Sequence, residues 1–330
     1  MATSSPNQPR TIKLPGQRLR RFATKLLSLR PLPSSPLLAD ASSTSPPIKI
    51  VCISDTHNCQ PELPEGDVLI HAGDLTENGS FEEIQSQLAW LSSQPHRHKI
   101  FVAGNHDVLL DEEFLQRYPD RRYGETRTMK DLDWGGVQYL CDSTATLIFS
   151  SETEEGNTAA VNSRTTALTI YGTPWTPQYG VSAFQYPRDK DIFSNTLPAN
   201  ADIVVTHGPP RLHLDKRDFH HAGCAYLSRE LARVRPRLVV FGHIHVSYGT
   251  EDVVLDRIQQ EYEDIMNNRA AWGALMWMMF YVFIARVRGL FANRESAVAR
   301  QRVTTFVNAS VVGGGLKNEL QNSPIVVEFH

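Results

Sequence analysis

Cysteine is scarce in this chain. Cys52, Cys59, Cys141 and Cys224 are the only ones in 330 residues, and no two stand in a C-x-x-C pair. That spacing excludes a zinc knuckle or a disulfide framework and fits a reducing compartment, the cytoplasm first. An excess of charge of one sign is also lacking. Lys and Arg number 33 against 36 Asp and Glu, so nothing draws the whole molecule to a polyanion and no specific nucleic acid partner is expected. Nor is there an apolar run long enough to cross a bilayer. The most apolar stretch, AAWGALMWMMFYVFIA at 270–285, reaches only about 24 Å as a helix, against a hydrocarbon core of about 30 Å. The glycines at 313–315 are not followed by the Lys-Ser/Thr of a phosphate-binding loop, and there is no internal repeat. Acidic residues are missing before Asp40.

What is present is an ordinary globular composition, 41% hydrophobic and 21% charged, enough to bury a sizeable core. Residues 1–47 are rich in Ser, Pro and basic side chains and read as a disordered extension. Within it Leu19, Phe22, Leu26 and Leu29 recur at helical spacing among Arg18, Arg20, Arg21 and Lys25. A basic amphipathic helix of this kind fits a mitochondrial presequence, a membrane-surface anchor or a plain basic tail. From 48 onward, short apolar runs at 48–53, 68–70, 100–103, 167–171, 203–205 and 238–241 predict buried strands. Helical patterns at 81–91 and 226–234 alternate with them, as in α/β architectures. Further strands are predicted at 138–140, 146–149, 303–312 and 325–329, a polar loop at 151–164 and a turn at 313–315.

The chemistry-bearing residues fall just past the predicted strands. Asp55 and His57 follow the first, Gly73 and Asp74 the second, and Gly104, Asn105, His106 and Asp107 the third; His207 follows 203–205, and His243 and His245 follow 238–241. One histidine at a strand tip is commonplace, but strand after strand delivering a metal-capable side chain to a shared edge points to one site. Carboxylate, imidazole and amide oxygen without thiolate suit Mn²⁺, Fe²⁺ or Zn²⁺, with Mg²⁺ a further candidate. Two cations need a shared anionic ligand, and Asp74, alone at its strand end, is the natural one. His96, His98, His220 and His221 lie in polar segments and read as solvent-facing. Trp175 either stacks on a substrate base or packs beneath the site. Asn308-Ala309-Ser310 matches a glycosylation pattern but falls in a predicted strand and reads as structural.

The ordered motifs Asp55-Thr56-His57, Gly73-Asp74, Gly104 to Asp107, Thr206-His207-Gly208 and Gly242 to His245 resemble the signature of calcineurin-like metallophosphoesterases. Gly172-Thr173-Pro174-Trp175, Thr206 to Pro210, RVRPRLVVFGHIHVSYG at 233–249, Asn308 to Ser310 and Pro324 to Phe329 look like its metallophosphoesterase-domain-containing subfamily. The resemblance covers roughly 48–250 and 303–330. It implies a four-layer αββα sandwich of two mixed sheets flanked by helices. It also implies two divalent metal ions, one held by Asp55, His57, Asp74 and His245 and the other by Asp74, Asn105, His207 and His243. The implied activity is hydrolysis of a phosphomonoester or phosphodiester, nucleotides among the candidates, by a metal-bridging hydroxide. His106 is then either the general acid for the leaving group or an electrostatic contact to phosphate, with Asp107 setting its orientation. The alternative is a membrane-associated scaffold that binds metal and nucleotide with little turnover.

The segment 252–300 lies outside this resemblance as a helical insertion. Its run at 270–285 carries Trp272, Trp277 and Tyr281 and is framed by Arg269, Arg286 and Arg288. It reads as a helix resting in a membrane interface or, alternatively, as core or dimer contact.

Overall fold

The computed structural model describes residues 15–30, 46–152, 163–291, 302–313 and 318–330. The chain divides into two compact units, one formed by residues 34–254 with 302–330 and the other by 1–33 with 255–301.

The larger unit is a mixed α/β sandwich. Its first sheet has strands β1 (Ile48–Ile53), β2 (Val68–Ala72), β3 (His98–Val102) and β4 (Val137–Tyr139) in parallel, with β15 (Ile325–Phe329) antiparallel at the edge beside β1. The second contains β5 (Ser143–Glu152), β6 (Ser163–Thr173), β9 (Ile203–Thr206), β12 (Leu238–Phe241), β13 (Gly249–Val254) and β14 (Val303–Asn308), in the order β13-β14-β12-β9-β6-β5. Two short pairs complete the strands: β7 (Thr176–Pro177) with β8 (Gln185–Tyr186), and β10 (Lys216–Arg217) with β11 (His220–His221).

The near-continuous apolar runs of β1 to β3 reflect burial on both faces. Ile50, Cys52, Val68, Ile70, Ile100 and Val102 point to the second sheet and meet Ile170, Ile203, Val205, Leu238 and Val240. Val51, Ile53, Leu69 and Phe101 point the other way, onto Phe81, Ile84, Leu88 and Leu91 of helix α2 (Phe81–Ser93). A capping box opens α2, with the Ser80 hydroxyl accepting from the Glu83 amide at 3.3 Å and the Glu83 carboxylate accepting from the Ser80 amide at 3.0 Å. The helix stops at Gln94 because Pro95 disfavours α geometry in the residue before it. Helix α3 (Glu112–Arg117) is short, and helix α4 (Ala225–Val234) is, like α2, followed by a proline, Pro236.

Two expectations change. Residues 151–152 and 163–164 are strand rather than loop, because antiparallel pairing of β5 with β6 satisfies both backbones whatever the polarity of the side chains. The intervening 153–162, and residues 314–315 of the expected turn, lie outside the described residues.

The smaller unit is helical: α1 (Pro15–Ser28), α5 (Arg257–Met266) and α6 (Trp272–Phe291). Leu19 and Ala23 of α1 pack with Ile258 and Ile265 of α5 and with Ala274, Leu275, Met278 and Val282 of α6. Disorder across 1–47 therefore does not hold for residues 15–30. The physical reason is that the apolar stripe of α1 finds a partner in the insertion, where Arg30 also pairs with Asp256 at 3.3 Å. No helix among the described residues is long and apolar enough to cross a membrane.

Candidate metal centre

The carboxyl ends of β1, β2, β3, β9 and β12 converge where the two sheets meet, the edge at which parallel α/β sheets place ligands. Backbone bonds lace the strand exits together. The Asp55 amide donates to the Gly73 carbonyl at 2.9 Å, the His57 amide to Asp74 at 3.2 Å, and the Gly242 amide to His207 at 3.1 Å. Asp55, His57, Asp74 and His243 all adopt positive φ, between 43° and 69°, a region that costs non-glycine residues free energy and is found where function imposes it. The glycines of two motifs are explained by close approach. A Cβ at Gly73 would strike the His207 ring, and one at Gly242 would strike the Asp55 carboxylate and the Ser54 hydroxyl.

The side chains gather into three overlapping groups whose ligand atoms lie within 4.8 Å of one another: Asp55, His57 and His245; Asp74, His207 and His243; and His57, Asp74 and His106. Asp74 belongs to both of the last two groups, its Oδ2 3.2 Å from His207 Nε2 and 3.9 Å from His57 Nε2. Asn105 Oδ1 lies 3.1 Å from His207 Nε2, and Asp55 Oδ1 lies 3.2 Å from His245 Nε2. Donors about 2.1 Å from one cation, at tetrahedral or octahedral angles, stand roughly 3.0–3.4 Å apart, so the spacings of 3.1 and 3.2 Å fit shared coordination, and the 3.9 Å from Asp74 to His57 is wider than that. Two further features fit a metal. Nε2 of buried His57 lacks a hydrogen-bond partner, while its Nδ1 lies 3.5 Å from Glu77 Oε2. The Nδ1 atoms of His207 and His245 face the carbonyls of Ala72 at 2.9 Å and Gly313 at 3.3 Å, which directs each Nε2 into the cluster.

Charge is organised around the two carboxylates. Burial opposes ionisation of Asp74, but His207, His106 and His57 hold it well below the usual carboxylate range. Burial likewise works against charge on His207, yet Asp74, Asp55 and the Ala72 carbonyl raise it to about 9 in the metal-free protein. His243 is pushed down to about 3 by burial and by the neighbouring His207.

The structure brings every expected ligand to this edge and corrects one role. Asp107 does not orient His106. Its carboxylate accepts from the Gly104 amide at 2.8 Å, the Leu75 amide at 3.2 Å, the Thr76 amide at 3.0 Å and the Thr76 hydroxyl at 2.8 Å. The partner of His106 Nδ1 is the Glu77 carbonyl oxygen, at 2.6 Å. Asp107 is fully buried, and burial together with the Asp74 charge pushes it up to about 6. It is a brace between the loops after β2 and β3. Asp107→Ala, which strands several buried donors, should therefore cost on the order of 3–5 kcal/mol in urea unfolding. Unchanged stability with slowed turnover would restore the orienting role.

The other histidines sort differently from expectation. His96 is buried, with Nε2 3.0 Å from the Pro64 carbonyl, and half-buried His98, the first residue of β3, packs edge-on against Phe149. His220 is exposed as expected, whereas His221 bonds buried Asp215 at 2.5 Å. Trp175 is partly buried, edge-on to Phe184, with its indole N–H donated to Asp142 at 2.8 Å. Asn308 is buried and donates to the Ile244 carbonyl at 3.0 Å, so it offers no glycan acceptor. Sequence reasoning missed the role of Ser310, whose hydroxyl donates to Asp55 Oδ2 at 2.7 Å. It also missed Tyr179, whose ring lies 5.0 Å from that of His243. The Asn-Ala-Ser motif was the available signal for Ser310; none marked Tyr179.

The sequence that builds this site resembles known proteins. Residues 48–247 match the model of the calcineurin-like phosphoesterases. The chain is 41% identical over 269 residues to probable rhamnogalacturonate lyase C of Emericella nidulans, a match covering 81% of this chain and 23% of that protein. It is 36% identical over 224 residues to metallophosphoesterase domain-containing protein 1 of Homo sapiens, covering 65% of each. A UPF0046 protein of Caenorhabditis elegans is 34% identical over 238 residues, covering 66% of this chain and 75% of that one. The chain thus spans under a quarter of the first relative and just under two thirds of the second. With the match running from β1 through the His245 loop and so containing every ligand candidate, the chain belongs to the calcineurin-like phosphoesterase family.

Proposed function

We propose that the chain hydrolyses phosphate esters, monoesters or diesters of small alcohols with nucleotides among them, at a centre of two divalent cations. The observation that supports this best is the Asp74 carboxylate standing between the His57 side and the His207–His243 side of one buried cluster. Asp55, His57, Asp74 and His245 would hold one ion and Asp74, Asn105, His207 and His243 the other, with Mn²⁺, Fe²⁺, Zn²⁺ or Mg²⁺ compatible with these donors. Bound there, the cations would supply Lewis-acid activation of water and neutralise charge on the phosphoryl oxygens.

The remaining tasks fall to the protein. The Glu77 carbonyl accepts from His106 Nδ1–H and leaves Nε2 free to give a proton to the departing alkoxide. Burial lowers the affinity of His106 for that proton, but Asp74 and the Glu77 carbonyl outweigh it and hold the group above its ordinary value. Burial opposes charge on Asp55, but His245 and His207 keep that carboxylate ionised, and Ser310 and the His243 amide hold it in place. The Emericella relative's name describes a lyase, but this chain aligns with only 23% of that protein. The phosphoesterase reading rests on the residues of the cluster.

The test is a hydrolysis panel of mono- and diesters on metal-stripped protein reloaded with Mn²⁺, Zn²⁺ or Mg²⁺, with the bound metal counted by mass spectrometry. Two ions per chain and ester turnover are expected. Two ions without turnover on any ester would leave the scaffold reading instead.

Metal uptake should also expel protons. His207 is held protonated up to about 9 in the metal-free protein, and a cation taken on its Nε2 must displace that proton. Below that value affinity should therefore fall as pH falls, by up to about tenfold per unit. Calorimetry in two buffers of different ionisation enthalpy should show proton release near neutral pH. Uptake with no proton released would remove His207 from the ligand set.

A further inference from the structure

In the helical unit, α6 is buried on one side only. Ala274, Leu275, Met278 and Val282 pack against α1 and α5. Trp272, Met276, Met279, Phe280 and Phe283, which recur at 3–4-residue spacing on the side turned away, are 46–64% exposed. Trp277 is 55% exposed beside them and stacks on Tyr281. A soluble surface seldom leaves so many large apolar groups contiguous without an occupant.

Helix α1 extends this face. Phe22 is 52% exposed and its ring lies 6.3 Å from that of Trp272. On either side of Phe22 the exposed Arg18, Arg21 and Lys25 fall at i, i+3 and i+7, one stripe of the helix. No ion pair among the described residues engages these three. Of the acidic residues on and next to α5, Asp256 is turned to Arg30 and Asp264 to Arg269. The fold therefore joins an aromatic face and a basic stripe that are some 250 positions apart in the chain.

We propose that α1 and α6 together form one docking surface for an anionic lipid bilayer. Trp272, Trp277 and Phe280 would enter the headgroup and acyl boundary, and Arg18, Arg21 and Lys25 would meet the headgroup charge. The chemistry of the face selects this occupant. Trp, Tyr and Phe favour the interfacial zone and basic residues beside them favour acidic lipid, while the helix is not one that can cross. A contact between two copies would bring the same basic stripe from both into one interface, which like-charge repulsion opposes.

The test is co-sedimentation of the full chain with vesicles of phosphatidylcholine containing phosphatidylserine, against phosphatidylcholine alone. Binding should require the acidic lipid and be only partly released by high salt, which screens the charges but not the apolar burial. Each basic residue near such a surface contributes roughly fivefold to partitioning, so Arg18→Gln/Arg21→Gln/Lys25→Gln should weaken binding about 100-fold. Trp272→Ser/Trp277→Ser/Phe280→Ser should abolish it. Should a variant fail to fold, the unaltered chain still gives a reading. Its tryptophan fluorescence should be quenched by brominated lipid, and the conservative Trp272→Phe/Trp277→Phe should lose that quenching. No binding to acidic vesicles, binding unaffected by the α1 substitutions, or no quenching would overturn the proposal. So would a dimer in solution that the α6 substitutions turn into a monomer.

Discussion

Asp74→Asn should reduce ester hydrolysis by at least about 10³-fold, a barrier increase of roughly 4 kcal/mol, and lower the metal bound per chain. Asparagine is the informative replacement because it changes charge while sparing shape. Asp74 has φ 53°, a conformation asparagine tolerates well. Its Oδ1 bond from the His106 amide at 2.8 Å can survive in the variant. What changes is the second oxygen, which faces His207 at 3.2 Å and His57 at 3.9 Å. An amide there loses the negative charge and turns a donor towards the cation positions. Circular dichroism should show an intact fold, metal analysis a depleted site, and kinetics the loss of turnover. A variant that retains full metal and falls less than about tenfold in rate, under about 1.4 kcal/mol, would contradict the sharing of Asp74 by two ions.

His106→Ala should separate chemistry from metal binding. His106 joins His57 and Asp74 in one cluster, but its Nδ1 is committed to the Glu77 carbonyl and its ring is only partly buried. That leaves Nε2 as its uncommitted nitrogen. Removing it should leave the bound metal unchanged and slow turnover by about 10²–10⁴, the usual contribution of a positioned acid. The discriminating readout is the leaving group. An alkyl ester, whose alkoxide needs a proton, should suffer the full loss, whereas a nitrophenyl ester should suffer little. Equal losses on both would assign His106 to holding phosphate. Depleted metal would make it a ligand.

The site was largely legible in the sequence because of how parallel strands end. A run such as 48–53 or 238–241 predicts a buried strand of a parallel sheet, and the residues next in the chain then emerge at the sheet's carboxyl edge. Asp55, His57, Asp74, Asn105, His207, His243 and His245 could therefore be grouped from order alone, and each lies at that edge. The role of Asp107 was not legible. Its neighbour in sequence is His106, but its hydrogen-bond donors include Leu75 and Thr76, brought to it by the β2–β3 pairing. The same holds for Ser310 on Asp55, a contact 255 positions apart.

By itself the sequence determined the strand runs, the position of the candidate ligands at the strand tips, the amphipathic character of α1 and the apolar character of α6, since these depend on local periodicity and on the order of neighbouring residues. Only the tertiary structure decided which partners those elements take. Asp55 is fixed by Ser310 and the His243 amide because β1 and the end of β14 meet at the sheet junction. Leu19 and Ala23 are buried because α1 returns to α5 and α6, and burial of an apolar stripe depends on whether a matching surface comes within reach, which neighbouring residues do not encode.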